Sequence, residues 1–491
     1  MGITEFCSNE IKKVTEKGMK SKYFIAIFTL LFLTLSTILY LNIYPIKSHQ
    51  DIDSQAYIER GLKFATTGSL IENDINRPTY FVIGYPFFIG LIYKFFGYHH
   101  FFIVLIQILL ALFSGFLIYR ICRRFFNETI ARIAFVFFSF NLGYLVFAQF
   151  ILTEILLAFL FLLFMDFFLI FFDMKEGIFL ILACLILGLS VLVKPAALFY
   201  IFFIWTLIFS FLKMPIYHRF TFLLIAAFSF YLPILAYMGF NKKNYGHFKV
   251  SALGEVNLYL WYYPNVLAEK NGTSVDVERQ VLDFKVKGDR LTDENWTEIK
   301  KDFYKDFIKH PFLFIYVWGK NVIKTLLGAY LTNLKLLISD IEGGTISYFK
   351  GKGTFLGKIH QYIAAGVKSN WIIFIGYLEA FWSIFRFALA LLGLFYLFLK
   401  RRYELVSIFT SFIFYFALIS GHDGCARFRM MFEFVLIILA ALGFYILFWL
   451  DYSMLESSKI YIDQNNTVKS SKKSFFNNNW INEQFSKIFK R

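Results

Sequence analysis

The chain is 491 residues long and 58% hydrophobic, with 67 phenylalanines and a mean hydropathy of +0.59, so apolar runs of membrane-spanning length recur and a soluble globular class is excluded. Its net charge of +16 would suit nucleic acid, yet the Lys and Arg residues collect in short loops between apolar runs, which is the pattern that orients a membrane protein. Anionic lipid headgroups, not nucleic acid, are the expected partner.

Lys12, Lys13, Lys17, Lys20 and Lys22 keep residues 1–22 on the cytoplasmic side. The first span, Tyr23 to Tyr44, is too long for the apolar core of a signal peptide and reads as a retained anchor. Residues 45–100 then form an acidic first external loop. A second span, His99 to Tyr119, ends inside at Arg120, Arg123 and Arg124. Spans near 130–150, 153–173, 177–193, 196–212 and 219–240 alternate after it, which completes an N-terminal membrane core over 23–240. Residues 241–382 read as an extracytoplasmic loop with interfacial helices, and 383–450 as C-terminal transmembrane helices near 383–399, 404–420 and 430–450. The Asn-, Ser- and Lys-rich residues 451–491 read as a basic cytoplasmic tail that touches headgroups. Two apolar stretches would break this parity if they crossed. Tyr80–Phe96 contains Gly84, Pro86, Gly90 and Lys94, and His310–Gly328 contains Lys320 and Lys324, so both are expected to lie along the outer surface. The expected fold is an all-α polytopic bundle of about 10 full crossings, within a range of about 10–12 helices. Cys7, Cys122, Cys184 and Cys425 are scattered over both sides and the bilayer, so no disulfide framework supports the external loops.

With that topology, Asp51, Asp53, Arg77, Glu154, Lys194, His422, Asp423, Arg427 and Arg429 all fall at external loops or external span ends. Charge near hydrocarbon is costly unless paired or hydrated, so charges from several spans on one leaflet suggest a shared aqueous cavity. Carboxylates held there can deprotonate an acceptor hydroxyl or bind a cation, and a nearby Arg can hold a phosphate. The plain alternative is a solvated acidic loop with headgroup-anchoring basic residues. Asp166, deeper in its span, reads as a buried partner, and Glu379 with Arg386, seven residues on, as a structural ion pair or interfacial anchor.

The order of motifs resembles the GT-C superfamily of polyprenyl-phosphate-sugar-dependent glycosyltransferases, which includes protein O-mannosyltransferases and lipid A aminoarabinose transferases. The resemblance lies in Asp53-x-x-x-Tyr57 after the first span, Arg77-Pro78 before Gly84-Tyr85-Pro86, Leu152-Thr153-Glu154 opening a span, and Gly188-Leu189-Ser190 leading to Lys194-Pro195. It continues through Asn241, Gly246-His247, Asn257-Leu258, His310-Pro311 and Arg427-Phe428-Arg429, over about 400 residues. The chain departs from the family in carrying two acidic residues, Asp51 and Asp53, where one is expected. The Tyr57 spacing aligns Asp53 with the catalytic position and leaves Asp51 as the fallback.

The resemblance implies an inner-membrane enzyme of bacterial type, with its site on the outer face, that moves a sugar from a polyprenyl-phosphate carrier to a lipid, glycan or protein acceptor. The leaving group departs as an anionic phosphate, so the enzyme must stabilise negative charge while it takes a proton from the acceptor. Asp53 is the expected base, Glu154 its catalytic partner, and Arg77, Arg427 and Arg429 the expected phosphate clamps, because a guanidinium fork matches phosphate oxygens. Asp51, Tyr57, Lys194 and His422 complete the expected substrate-binding set. An Asp/Glu pair also suits a hard cation, so Mg²⁺ or Mn²⁺ held by Asp53 and Glu154 is a second expectation. A transporter or flippase of lipid-linked sugars, or a non-catalytic envelope assembly protein, is the alternative from other classes.

Overall fold

The computed structural model describes residues 3–43, 52–71, 82–285, 294–338, 354–367 and 369–463. Contacts divide the chain into two bodies, Met1–Tyr445 and Ile446–Arg491. The helices run, in chain order, α1 Ile3–Ile43, α2 Ile52–Thr67, α3 Gly84–Phe96, α4 His100–Phe125, α5 Glu128–Ser139, α6 Leu142–Phe147, α7 Glu154–Met174 and α8 Gly177–Val193. There follow α9 Ile201–Phe211, α10 Ile216–Tyr245, α11 Leu253–Val256, α12 Tyr263–Asn271, α13 Val275–Lys285, α14 Glu294–Lys309 and α15 Pro311–Leu327. The remainder are α16 Leu331–Leu337, α17 Phe355–Ala364, α18 Asn370–Leu399, α19 Tyr403–Ile419 and α20 Glu433–Asp463. Among the described residues there is no strand, as a multi-pass membrane fold requires when backbone polar groups must be satisfied within each segment.

Among the described residues six helices are long and apolar enough to cross a membrane, and three shorter apolar helices, Gly177–Val193, Pro195–Phe211 and Glu433–Phe448, accompany them. These match nine of the ten expected crossings. The tenth, 130–150, is corrected: it is not one helix but α5 and α6 followed by irregular chain to Thr153. The breaks are made by asparagine. Asn127 caps α5 by accepting from the Ile130 amide at 2.9 Å, and Asn141 caps α6 by accepting from the Tyr144 amide at 3.2 Å. The irregular backbone is buried, and its carbonyls are satisfied from a neighbour: Gln107 of α4 donates to Phe150 O at 2.7 Å and to Ala148 O at 3.2 Å.

The stretch expected at 383–399 begins earlier, at Asn370, so α18 is longer than a minimal span. Its close neighbour is α20. A Cβ on Gly393 would run into the Leu439 carbonyl and one on Gly443 into the Leu389 carbonyl, so the two backbones touch through paired glycines. The two stretches expected to lie along the surface are both helical, as α3 and α15. α15 is two-faced, with Phe314, Val317, Asn321 and Thr325 buried and Phe312, Ile315 and Tyr316 exposed.

Buried charge within the bundle is paired. Asp166, on α7, meets Arg120 of α4. Glu379 and Arg386 do not pair with each other, contrary to the expectation from their spacing. Arg386 binds Glu433 at the start of α20, and Glu379 instead accepts the Tyr330 amide at 2.6 Å. Glu433 also accepts from Asn141 at 2.6 Å, Tyr330 at 3.1 Å and Arg429 at 3.0 Å, and its exposure is 0%. A carboxylate so enclosed is tolerable only because its donors are charged or fixed. Glu433→Ala would leave Arg386 and Arg429 without their shared counter-ion, a loss of about 3–5 kcal/mol for a broken buried pair. Thermal unfolding of the detergent-solubilised protein should show a clear drop for Glu433→Ala and none for Asp173→Asn, whose pair with Arg124 is solvent-facing.

Candidate active site at the Asp53, Glu154, Lys194 and Arg427 cluster

Four ionisable residues from four distant parts of the chain meet where helices begin or end. Asp53 lies in the first turn of α2 and Glu154 opens α7, so both carboxylates sit at helix N-termini, where the backbone amides favour negative charge. Lys194 follows α8 in an extended conformation, as the residue before Pro195 must be, and this turns its side chain out of the helix course. Arg427 belongs to a 3₁₀ segment, Ala426–Met431, between α19 and α20.

Arg427 is the centre of the group. Its Nε donates to Glu154 Oε1 at 2.6 Å and its Nη1 to Asp53 Oδ2 at 2.9 Å, while Lys194 Nζ reaches the same Glu154 oxygen at 3.3 Å. The side chains form a gradient of burial, with Glu154 3% exposed, Arg427 15%, Lys194 17% and Asp53 43%. Asp53 is thus the carboxylate that faces outward, and Glu154 is the one that anchors both cations from within. Glu154 Oε2 and Thr153 Oγ1 are buried without a hydrogen-bond partner among the described residues.

The electrostatics follow from this enclosure. Burial acts to lower the pKa of Arg427, but the carboxylates of Glu154 and Asp53 outweigh it and hold the guanidinium protonated beyond its ordinary range. Burial pulls Lys194 below the usual lysine range in spite of Glu154 beside it. The Tyr57 phenol is pushed up by burial, so it stays protonated and is no base. Cys425, two residues before Arg427, has its thiol pushed up by burial to about 12.

The remaining expected residues fall in three places. Tyr57 lies beneath the cluster, edge-on to Tyr85 at 5.0 Å, and Tyr85 in turn donates to Gln107 at 2.7 Å. His422 stands at the margin: its Nδ1 is 3.0 Å from Ile419 O, its ring is 4.9 Å from Phe428, and Lys194 Nζ sits 4.7 Å over that same Phe428 ring. Arg429 is corrected. Its exposure is 0%; it binds Glu433, the Leu326 carbonyl at 2.9 Å and the Gly328 carbonyl at 2.6 Å, and its guanidinium covers the Tyr330 ring at 4.4 Å. A 3₁₀ segment turns about 120° per residue, so side chains two apart point in different directions, and Arg427 and Arg429 serve different clusters. Asp51 and Arg77 lie outside the described residues.

The donor set fits a divalent cation poorly. Among the described residues no three His, Cys, Asp or Glu side chains gather as metal ligands, and the two carboxylates expected to hold one are bridged by Arg427. Sequence reasoning passed over Gln107 and gave Phe428 no role beyond its place in the Arg427-Phe428-Arg429 motif. A lone amide in an apolar span is a readable signal for the first, whereas the second is one phenylalanine among 67.

Residues 77–237 match the family model described as dolichyl-phosphate-mannose-protein mannosyltransferase, a segment that includes Glu154 and Lys194 but neither Asp53 nor Arg427. None of the curated proteins compared with the chain matches it significantly. Among solved structures, it is similar to the archaeal oligosaccharyltransferase AglB from Archaeoglobus fulgidus in complex with an inhibitory peptide and a dolichol-phosphate. That match has a TM-score of 0.53 at 15% identity, over 96% of this chain and 54% of that one. The same oligosaccharyltransferase tethered to an acceptor peptide containing the NVT sequon gives 0.52 at 14%, over 96% and 53%. ArnT from Cupriavidus metallidurans in the apo state gives 0.35 at 12%, over 84% and 76%. The chain spans about half the length of the oligosaccharyltransferase chains it matches. The chain thus shares the fold of this archaeal oligosaccharyltransferase, and its residues 77–237 are similar to the dolichyl-phosphate-mannose-protein mannosyltransferase family model.

Proposed function

We propose that the chain is a membrane glycosyltransferase that moves a sugar from a polyprenyl-phosphate carrier to an extracytoplasmic lipid, glycan or protein acceptor. The observation that carries the reading is Arg427, held between Asp53 and Glu154 with Lys194 beside it, in a chain whose matched family and fold relatives use or hold dolichyl phosphates. A carboxylate beside two cations supports this reading, because transfer from a phosphate leaving group needs a base and positive charge together.

In the proposed reaction the carrier phosphate binds to Arg427 and Lys194. The acceptor oxygen attacks the anomeric carbon, the bond from that carbon to the phosphate oxygen breaks, and its electron pair leaves with the polyprenyl phosphate. The acceptor proton passes to the Asp53 carboxylate, the more exposed of the two. Glu154 keeps both cations aimed, a task suited to a carboxylate buried against them. Arg427 must loosen its hold on Asp53 as phosphate arrives, because one Nη1 cannot serve both at full strength. No step is routed through a metal. The N-terminal lysines favour a cytoplasmic N-terminus, which puts the cluster on the outer face of the membrane, in this reading a bacterial inner membrane.

Mass spectrometry of surface glycolipids and glycoproteins from cells with and without the chain tests the reading at its root: a sugar mass should disappear, and an unchanged glycan profile sinks it. In a transfer assay with purified protein, Asp53→Asn should fold and insert yet lose ~10²–10⁴ in rate, with Asp51→Asn far milder. Arg427→Lys, which gives up the fork, should raise the donor KM by roughly 10–100-fold, the worth of one charge-assisted hydrogen bond. Full activity in both the Asp53 and Arg427 variants would remove the mechanism. Chelation with EDTA should leave transfer intact. A cysteine at Asn271 should react with a membrane-impermeant thiol reagent on intact cells and one at Ser471 should not; the reverse pattern would invert the orientation.

A further inference from the structure

We propose that Asn321, on α15, is a positioning residue that holds Arg427 on target, so that α15 is the strut between the cluster and the aromatic layer above it. The inference rests on the reading of Arg427 as a phosphate-binding residue. Asn321 is 1% exposed in a helix whose other face is open. Its Nδ2 donates to Gly421 O at 3.0 Å and its Oδ1 accepts from Lys324 Nζ at 3.1 Å. Gly421 and Gly424 belong to the turn that delivers Arg427.

That turn has no room to sit elsewhere. Gly424 adopts φ of 72°, where side-chain-bearing residues are strained, and a Cβ there would overlap the Asn321 backbone. A Cβ on Gly421 would overlap the Trp318 indole, whose Nε1 donates to Leu418 O at 2.9 Å. Beyond Arg427 the chain is tied to α15 again, because Arg429 donates to the carbonyls of Leu326 and Gly328 at the end of that helix. Arg427 therefore lies between two attachments to one helix, and with Arg429 fixed toward α15, the 3₁₀ geometry turns Arg427 away from it, toward α2 and α7.

Earlier turns of the same buried face of α15 reach the layer formed by α12 and α14. Phe314 and Val317 are packed into a buried cluster with Tyr262, Tyr263, Trp296 and Phe303, and the Tyr262 hydroxyl donates to Phe314 O at 2.5 Å. Any acceptor that presses on this layer bears on the same strut. Asn321 touches neither the carboxylates nor Lys194, so its influence on the phosphate has to pass through Arg427.

A double-mutant cycle on the full chain in lipid nanodiscs, read as the Kd for polyprenyl phosphate, separates this role from general stability. Asn321→Ala should weaken binding by about 5–10-fold, the effect of one lost buried hydrogen bond on a positioned group. Asn321→Asp, which keeps the oxygen that accepts from Lys324 but lacks the donor to Gly421, should do the same. In an Arg427→Ala background neither should weaken it further. Losses that multiply across the two sites, or an unchanged Kd in both Asn321 variants, would overturn the proposal. Should both fail to fold, Gly424→Ala carries the same test from the other side of the contact. If Arg427→Ala alone leaves the Kd unchanged, the phosphate-binding role of Arg427 falls and this inference with it, whereas a failed cycle with a weakened Arg427→Ala leaves that role standing.

Discussion

Everything at this site depends on one guanidinium shared by two carboxylates. Arg427 has lost most of its water, and losing either partner of a buried ion pair costs about 3–5 kcal/mol, so the protein must supply counter-charge from two directions. That requirement explains the placement of the N-termini of α2 and α7. Each brings a carboxylate placed in the first turn of its helix, where the helix dipole favours its charged form. The sharing is also unequal. Glu154 is enclosed and bound twice, while Asp53 is half in solvent and bound to Arg427 through a single oxygen. An arrangement with one fixed and one loosely held carboxylate can exchange the loose one for an incoming anion without collapsing.

Below this cluster lies a second, with the opposite character. Arg386, Arg429 and Glu433 are almost wholly removed from solvent, and Asn141, Tyr330 and the carbonyls at the end of α15 take up much of their remaining hydrogen-bonding capacity. Arg386 Nε and Nη2 and Arg429 Nη2 keep no partner among the described residues, so this cluster holds unspent donors away from solvent. Two arginines separated by one phenylalanine thus serve different clusters, one bridging the carboxylates of α2 and α7 and the other tying the end of α15 to the start of α20.

The legible part of the site was the part written in rare residues. A carboxylate or lysine at the end of an apolar run is conspicuous, and Asp53, Glu154, Lys194 and Arg427 stood out for that reason before any geometry was known. Arg429 stood out equally and was misread, because only the 3₁₀ phase of its segment and the carboxylate four residues on decide which way it points. The break within 130–150 was hidden by unbroken hydrophobicity across Asn141, an asparagine whose capping role depends on local backbone conformation. Asn321 was invisible in a different way: its partner lies 100 residues away, and nothing near it in the chain points there. Six of the ten expected crossings needed none of this, since length and hydropathy alone define them among the described residues, and three more are shorter apolar helices.

The separation in sequence between Asn141, Arg386 and Glu433 has a bearing on biogenesis. Asn141 and Glu433 stand 292 residues apart, and Arg386 is inserted before its only carboxylate partner among the described residues has been synthesised. During translation the bilayer therefore holds a guanidinium on α18 with no counter-ion, a state that favours shallow or incomplete insertion. The arrival of α20 ends it in a single event, pairing Arg386 and Arg429 at once and drawing Asn141 and Tyr330 onto the same carboxylate. A chain interrupted before Glu433 keeps Arg386 without the carboxylate it binds in the finished bundle.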